Sequence, residues 1–162
     1  MSQTELSLET RVAKLEAERE INRLKMVYAR TCDEQYNPDK LAPLFTEDAV
    51  WDGGHTFGTH QGRQAIYDYF AGISGTIGWA MHYIVGGDIH VADDLATATG
   101  DWQLWCPVSM VIDGEPQAAV LAATYADRYR NAPDGWKFER MEVNFTLQAT
   151  MAEGWGTRQF QL

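Results

Sequence analysis

The stretch WAMHYIVGGDIHVADDLATATGDWQLWCPVSMVI, residues 79–112, decides the fold. Upstream of Gly78 the apolar residues recur at helical spacing. From Trp79 onward they alternate, with β-branched and aromatic residues in excess, which is the period of strands. The first run, residues 79–91, is interrupted by Gly86-Gly87, a pair suited to a β-bulge or sharp bend. The second run, residues 95–112, carries Pro107, which marks a bend or an edge because proline cannot donate to a ladder. Asp113-Gly114 is a two-residue hairpin signal. Residues 117–130 and 136–147 then read as two further strands joined by a turn over 131–135.

Working outward to the N-terminus, residues 8–33 contain neither glycine nor proline and are dominated by Ala, Leu, Glu, Lys and Arg, so they read as helix. Leu8, Val12 and Leu15 form one apolar stripe; Ile21, Leu24, Tyr28 and Thr31 continue it on a shifted face. This divides the chain into an N-terminal helical arm (1–20), a main domain (21–150) and a C-terminal tail (151–162). The first stripe lacks a neighbour within the chain, which points to self-association. Asn37-Pro38-Asp39 stops the helix. A short helix (40–45), a strand (49–52), a turn at Gly53-Gly54, a short strand or loop (55–60) and a helix (62–73) follow. In the last of these, Ile66, Tyr69, Phe70 and Ile73 share one side. Helices first, then a meander of long strands, is an α+β layout. Strands this long with bulges must curl, so the expected form is a cone-shaped barrel of a strongly curved, mixed or antiparallel sheet, its N-terminal helices enclosing one pocket.

The 162 residues suffice for one domain with a real core. An apolar fraction of 45% with six tryptophans argues for a packed globule. The net charge of −10, from 23 acidic and 13 basic residues, comes with no Lys/Arg run interleaved with aromatics. Nucleic acid and membrane are therefore not expected partners. The two cysteines, Cys32 and Cys106, form no CxxC motif and read as the free thiols of a cytoplasmic chain. The charged N-terminus lacks the apolar core of a secretory signal.

Strand alternation places Ala80, His82 and Ile84 on one face, opposite Met81, Tyr83 and Val85. In the last strand Trp136, Phe138, Arg140, Glu142 and Asn144 share a face whose mixture of aromatic and ionisable groups suits a pocket wall or a solvated surface equally. The opposite face, with Met141, Val143, Phe145 and Leu147, reads as core.

Several ordered pieces resemble the SnoaL-like group of the nuclear transport factor 2-like superfamily: Tyr28-x4-Asp33, LFTEDAVWDGG (44–54), HQGRQAIYDYF (60–70), AMHYIVGGDIHVADDLATATG (80–100) and DGWKFERMEV (134–143). The likeness spans about residues 8–150. It implies a cone of bent strands capped by helices, commonly dimeric or trimeric, in a superfamily that includes scytalone dehydratase, bile-acid 7α-dehydratase, hexachlorocyclohexane dehydrochlorinase, polyketide cyclases and ketosteroid isomerase. In its dehydratase-like members an Asp near the end of the first long helix pairs with a His on the strand after the third helix; Asp33 and His82 match these positions. Tyr28 matches the Tyr five residues before the Asp of the bile-acid enzyme, and Arg140 resembles a pocket arginine. A second pocket histidine, as in scytalone dehydratase, has no counterpart, since His90 lies beyond the Gly86-Gly87 bend.

On this resemblance the chain is expected to be a dehydratase-like lyase in which His82 abstracts a proton, Asp33 orients it, and Tyr28 or Arg140 binds developing charge. Trp51, Phe57, Trp102, Trp105 and Asn144 are the expected substrate-binding residues, the four aromatics as core or pocket wall, around a hydrophobic, ring-bearing ligand such as a steroid, polyketide or aromatic. No metal or organic cofactor is required; His55 and His60 flank a loop in no standard ligand spacing. An isomerase, an aldol-type cyclase and a non-catalytic binding module remain as alternatives. By residue type alone, His82 also fits a core or surface histidine, Asp33 a helix cap and Tyr28 plain core. Tyr28 and Asp33 lie roughly 140° apart around a helix, so both reach one pocket only if the helix end flanks it.

Overall fold

The computed structural model describes residues 6–156. Helix α1, Leu8–Asp33, starts at Ser7, whose hydroxyl oxygen accepts the Thr10 N–H at 3.1 Å. It runs unbroken through the boundary expected near residue 20. Its buried residues, among them Ala17, Ile21, Lys25, Tyr28, Ala29 and Cys32, recur at spacings of three and four and face the sheet. Leu8, Val12 and Leu15 are exposed, and residues 1–5 of the expected arm lie outside the described part.

A short helix α2 (Pro38–Leu41) and a 3-10 turn (Ala42–Leu44) lead into β1 (Phe45–Asp52). A one-turn helix α3 (Gly54–Phe57) occupies part of the segment expected as strand or loop, and β2 (Thr59–Gln61) the rest. Helix α4 (Arg63–Ile73) is followed by β3 (Ile77–Ala80), β4 (Tyr83–Val91), β5 (Thr97–Ile112), β6 (Glu115–Ala132) and β7 (Gly135–Thr150). These strands form one seven-stranded sheet in the order β2-β1-β7-β6-β5-β3, with β4 also paired to β5. The sheet is mixed, because β1 runs parallel to β7 while the other pairs are antiparallel. It curves without closing into a barrel. Register shifts at Gly86/Asp88, Ala122/Ala123 and Arg128/Tyr129 supply the bends, as bulges do in long strands. Helix α1 packs against β3, β4 and β7, and α4 against β1 and β2.

The single run expected over residues 79–91 is two strands, and the reason is Pro107. Met81 donates its N–H to the Pro107 carbonyl at 3.1 Å. The reciprocal bond of an antiparallel pair cannot form, since proline has no N–H. The ladder therefore lapses between Ala80↔Val108 and Tyr83↔Trp105, and His82 sits in the gap. Among the described residues no helix is long and apolar enough to cross a membrane.

Candidate active site

Asp33 is the last residue of α1. A carboxylate there faces the negative end of the helix dipole, unfavourable by about 0.3–1 kcal/mol, so it needs local donors. His82 supplies two: its backbone N–H reaches Asp33 Oδ1 at 2.8 Å, and its ring Nδ1 reaches the same oxygen at 2.7 Å. A carboxylate has no proton to give, so Nδ1 carries the hydrogen of this bond, and in the neutral imidazole the lone pair is then the one on Nε2. The His82 side chain is 9% exposed and borders the cavity; that of Asp33 is 27% exposed.

The cavity between α1, α4 and the inner sheet face has a volume of about 40 Å³, room for a few waters at roughly 10–15 Å³ each. Its walls are aromatic and aliphatic, with Tyr28, Trp51, Phe70, Leu104 and Val143 at the sides. Phe57 and Phe145, half-buried with ring centroids 5.1 Å apart, form a rim. A ring-sized ligand exceeds this volume and fits only if the wall rearranges.

Tyr28 is buried, and its hydroxyl oxygen accepts the Trp51 indole N–H at 3.1 Å. Burial, with the Cys32 thiol nearby, pushes its pKa well above the ordinary phenol value, so the group stays protonated and can donate. Burial likewise pushes the Cys106 thiol up to about 12, which keeps it inert. Both cysteines are free and buried.

Of the expected site residues, the structure brings His82, Tyr28, Trp51 and Phe57 to the cavity, sets Asp33 against His82, and places the others elsewhere. Arg140 is turned to the outer face of the sheet: its neighbour Met141 points inward opposite Trp51, and the Arg140 guanidinium pairs with Asp52 at 3.0 Å and Glu142 at 3.4 Å. The bulge between Phe138 and Arg140 shifts the alternation by one, which sends Arg140 away from the face that Phe138 occupies. Asn144 lies on the same outer face, exposed. Trp105 is 41% exposed and meets Trp155 edge-on. Trp102 is buried but away from the cavity, its indole N–H donating to Tyr129 at 3.0 Å.

Trp102 belongs to a buried polar cluster that sequence reasoning missed. Lys25 Nζ lies 2.8 Å from Asp127 Oδ2, and neither side chain has any exposed surface. Tyr129 donates to the same Asp127 oxygen at 2.7 Å. Burial lowers the Lys25 pKa and raises that of Asp127, while their mutual attraction opposes both shifts. Also missed as cavity residues were Tyr36, Tyr69 and Tyr125; Tyr125 shares a strand face with Leu121, four residues before it, and Tyr69 a helix side with Phe70, and these were the available signals. Among the described residues, no three His, Cys, Asp or Glu side chains gather as a metal site.

The SnoaL-like domain pattern matches residues 13–142. No curated protein sequence matches significantly. Similar solved structures include a candidate scytalone dehydratase from Novosphingobium aromaticivorans (22% identity, covering 96% of this chain and 93% of that one, TM-score 0.73). A second is the hexachlorocyclohexane dehydrochlorinase LinA-type3 from Novosphingobium barchaimii (19% identity, 96% and 99% coverage, TM-score 0.73). A third is an NTF2-like protein with a cystatin-like fold from Novosphingobium aromaticivorans (23% identity, 99% and 100% coverage, TM-score 0.63). At these identities the likeness is one of fold.

Proposed function

The chain belongs to the SnoaL-like domain family, and from that premise we propose that it is a cofactor-independent lyase of dehydratase type acting on a hydrophobic, ring-bearing small molecule. The observation that carries this reading is the 2.7 Å contact from His82 Nδ1 to Asp33, which leaves Nε2 as a free base at an apolar cavity. Nε2 takes a proton from the carbon beside a substrate carbonyl, and the C–H electron pair moves into the carbonyl to form an enolate. The enolate then collapses to a carbon–carbon double bond. The hydroxyl on the next carbon leaves with the proton returned by His82, as water. Asp33 holds the ring and stabilises the imidazolium between the two transfers. Tyr28, whose oxygen already accepts from Trp51 and whose hydroxyl lies beside the Cys32 thiol, turns its O–H to the enolate oxygen.

The names of two similar structures, a dehydrochlorinase and a candidate dehydratase, support elimination as the reaction class. Returning the proton to a carbon instead of a hydroxyl would be an isomerisation, and product analysis separates the two. The test is turnover of cyclic β-hydroxy ketones by wild type, His82→Ala and Asp33→Ala. Loss of at least about 100-fold in both variants is expected; wild-type rates in both overturn the reading.

A further inference from the structure

The dyad leaves two phenols in the cavity wall without an assignment. Tyr36 and Tyr125 both border the cavity and are only 6% and 3% exposed. Neither hydroxyl has a hydrogen-bond partner among the described residues, unlike Tyr28, which accepts from Trp51. Buried hydroxyls are nearly always paired, so two orphans in one wall ask for a ligand. Their oxygens are not sealed in the packing: the fully enclosed side-chain N and O atoms without partners, among the described residues, are Thr46 Oγ1 and Asp127 Oδ1. The open space beside the two phenols is the cavity.

Both rings are held in place at some cost. Tyr36 follows α1 through two successive left-handed residues, Gln35 at φ 65° and Tyr36 at φ 56°. Non-glycine side chains avoid that region, and such strain concentrates at functional sites. The Tyr36 ring stacks on Phe70 at 6.1 Å and stands edge-on to His82 at 5.9 Å, beside the base itself. Tyr125 is fixed from behind, because Lys25 Nζ lies 3.3 Å from its ring centroid and is locked by Asp127. A cation on the ring face draws electron density from the phenol and makes its O–H a better donor. Burial raises the pKa of both phenols, so both remain protonated donors at neutral pH. Tyr69, also in the wall, is half-buried and keeps access to water.

We infer that Tyr36 and Tyr125 are specificity-determining hydrogen-bond donors to two oxygen atoms of the ligand, so that the site takes an oxygenated ring, a hydroxy ketone, and discriminates against a halogenated hydrocarbon. This rests on the proposed elimination and names its leaving group as hydroxide carried off as water. An organic halide accepts hydrogen bonds poorly and would leave both phenols orphaned. A site built to bond a polar group rejects the analogue lacking it strongly.

The test measures binding, not turnover, in full-length His82→Asn protein, where the base is absent and only recognition is read. Three six-membered rings serve as probes: 3-hydroxycyclohexanone, cyclohexanone and chlorocyclohexane. Dissociation constants come from ligand-observed NMR. Tyr36→Phe and Tyr125→Phe are added singly. The expected order is tightest for the hydroxy ketone and weakest for the chloride. Each Phe variant should weaken the hydroxy ketone by about 10-fold while leaving the chloride unchanged. Because either variant could lose its fold, tyrosine labelled with ¹³C at Cζ gives a second readout in the unsubstituted ring wall. Of the seven tyrosines, the signals of Tyr36 and Tyr125 should shift with the hydroxy ketone and not with the chloride, whatever Tyr28 does beside them. Equal binding of the three probes, including no measurable binding of any, or unchanged affinity in both Phe variants, overturns the inference. Turnover by wild type with equal probe binding would sink the phenol roles and leave the dyad standing.

Discussion

Asp33 Oδ1 accepts two hydrogen bonds from one residue, His82, at 2.7 Å from the ring and 2.8 Å from the backbone. The ring is therefore fixed in position and tautomer by a single atom. Asp33→Asn separates these duties. An amide oxygen still accepts both bonds, so the fold is kept, but it cannot stabilise an imidazolium. The rate on a cyclic β-hydroxy ketone should fall by roughly 10³-fold with little change in melting temperature, read by steady-state kinetics beside calorimetry. A rate within a few fold of wild type would remove Asp33 from the mechanism.

The contact between this pair was legible through the resemblance, which matches Asp33 and His82 to the acid and histidine of dehydratase-like members; by residue type alone His82 also fitted a core histidine and Asp33 a helix cap. The strand interruption beside His82 was not expected, although Pro107 was there to mark it. Arg140 was misjudged for the opposite reason. A bulge inserts one residue without a glycine or proline to announce it, and every side chain beyond it changes face. Trp102, expected as core or pocket wall, is core, since the inner surface of a long sheet extends past the cavity. Lys25 was invisible, because a lysine within an α-helix reads as solvated until the strand carrying Asp127 is seen to cross it.

The Lys25–Asp127 pair gives a prediction about stability. Lys25→Met leaves Asp127 buried without its cation, which should cost about 3–5 kcal/mol. The double substitution Lys25→Met with Asp127→Leu removes both charges and should recover most of that loss, less the bond that Tyr129 gives up. Urea unfolding of wild type, both single variants and the double variant completes the cycle. Additive losses in the double variant would mean that the two groups do not act as a pair.

Acid should destabilise the fold through its surface carboxylates. The Gly54 N–H, the Thr59 hydroxyl and Arg140 hold Asp52 below the usual carboxylate range. A carboxyl whose folded pKa is depressed contributes stability above its unfolded pKa of about 3.9 and loses it as pH falls through the lower folded value. Melting temperature should therefore drop below about pH 4, and Asp52→Asn should flatten that limb while lowering the neutral plateau. Asp127 works in the other direction, since burial lifts its carboxyl; comparing wild type with Asp52→Asn cancels that contribution. An identical acid limb in the variant would show that Asp52 has no part in it.

The cavity wall is set by a glycine outside it. At Gly53 the backbone φ is −96°, an ordinary value for any residue, so conformation does not require glycine there. Space does: an added Cβ would lie 2.6 Å from the Trp51 ring and 2.7 Å from Phe57 Cβ. Both neighbours line the cavity. Trp51 also donates to the Tyr28 hydroxyl, so pushing the indole aside breaks the bond that orients the proposed enolate donor. Gly53→Ala should thus cost about 1–3 kcal/mol by overpacking and also impair the site. If Tyr28 acts on the enolate, kcat should fall with KM nearly unchanged. If Trp51 serves only as a wall, KM should rise alone. A variant with wild-type stability and kinetics would mean that Trp51 yields freely, and that the indole does not position Tyr28.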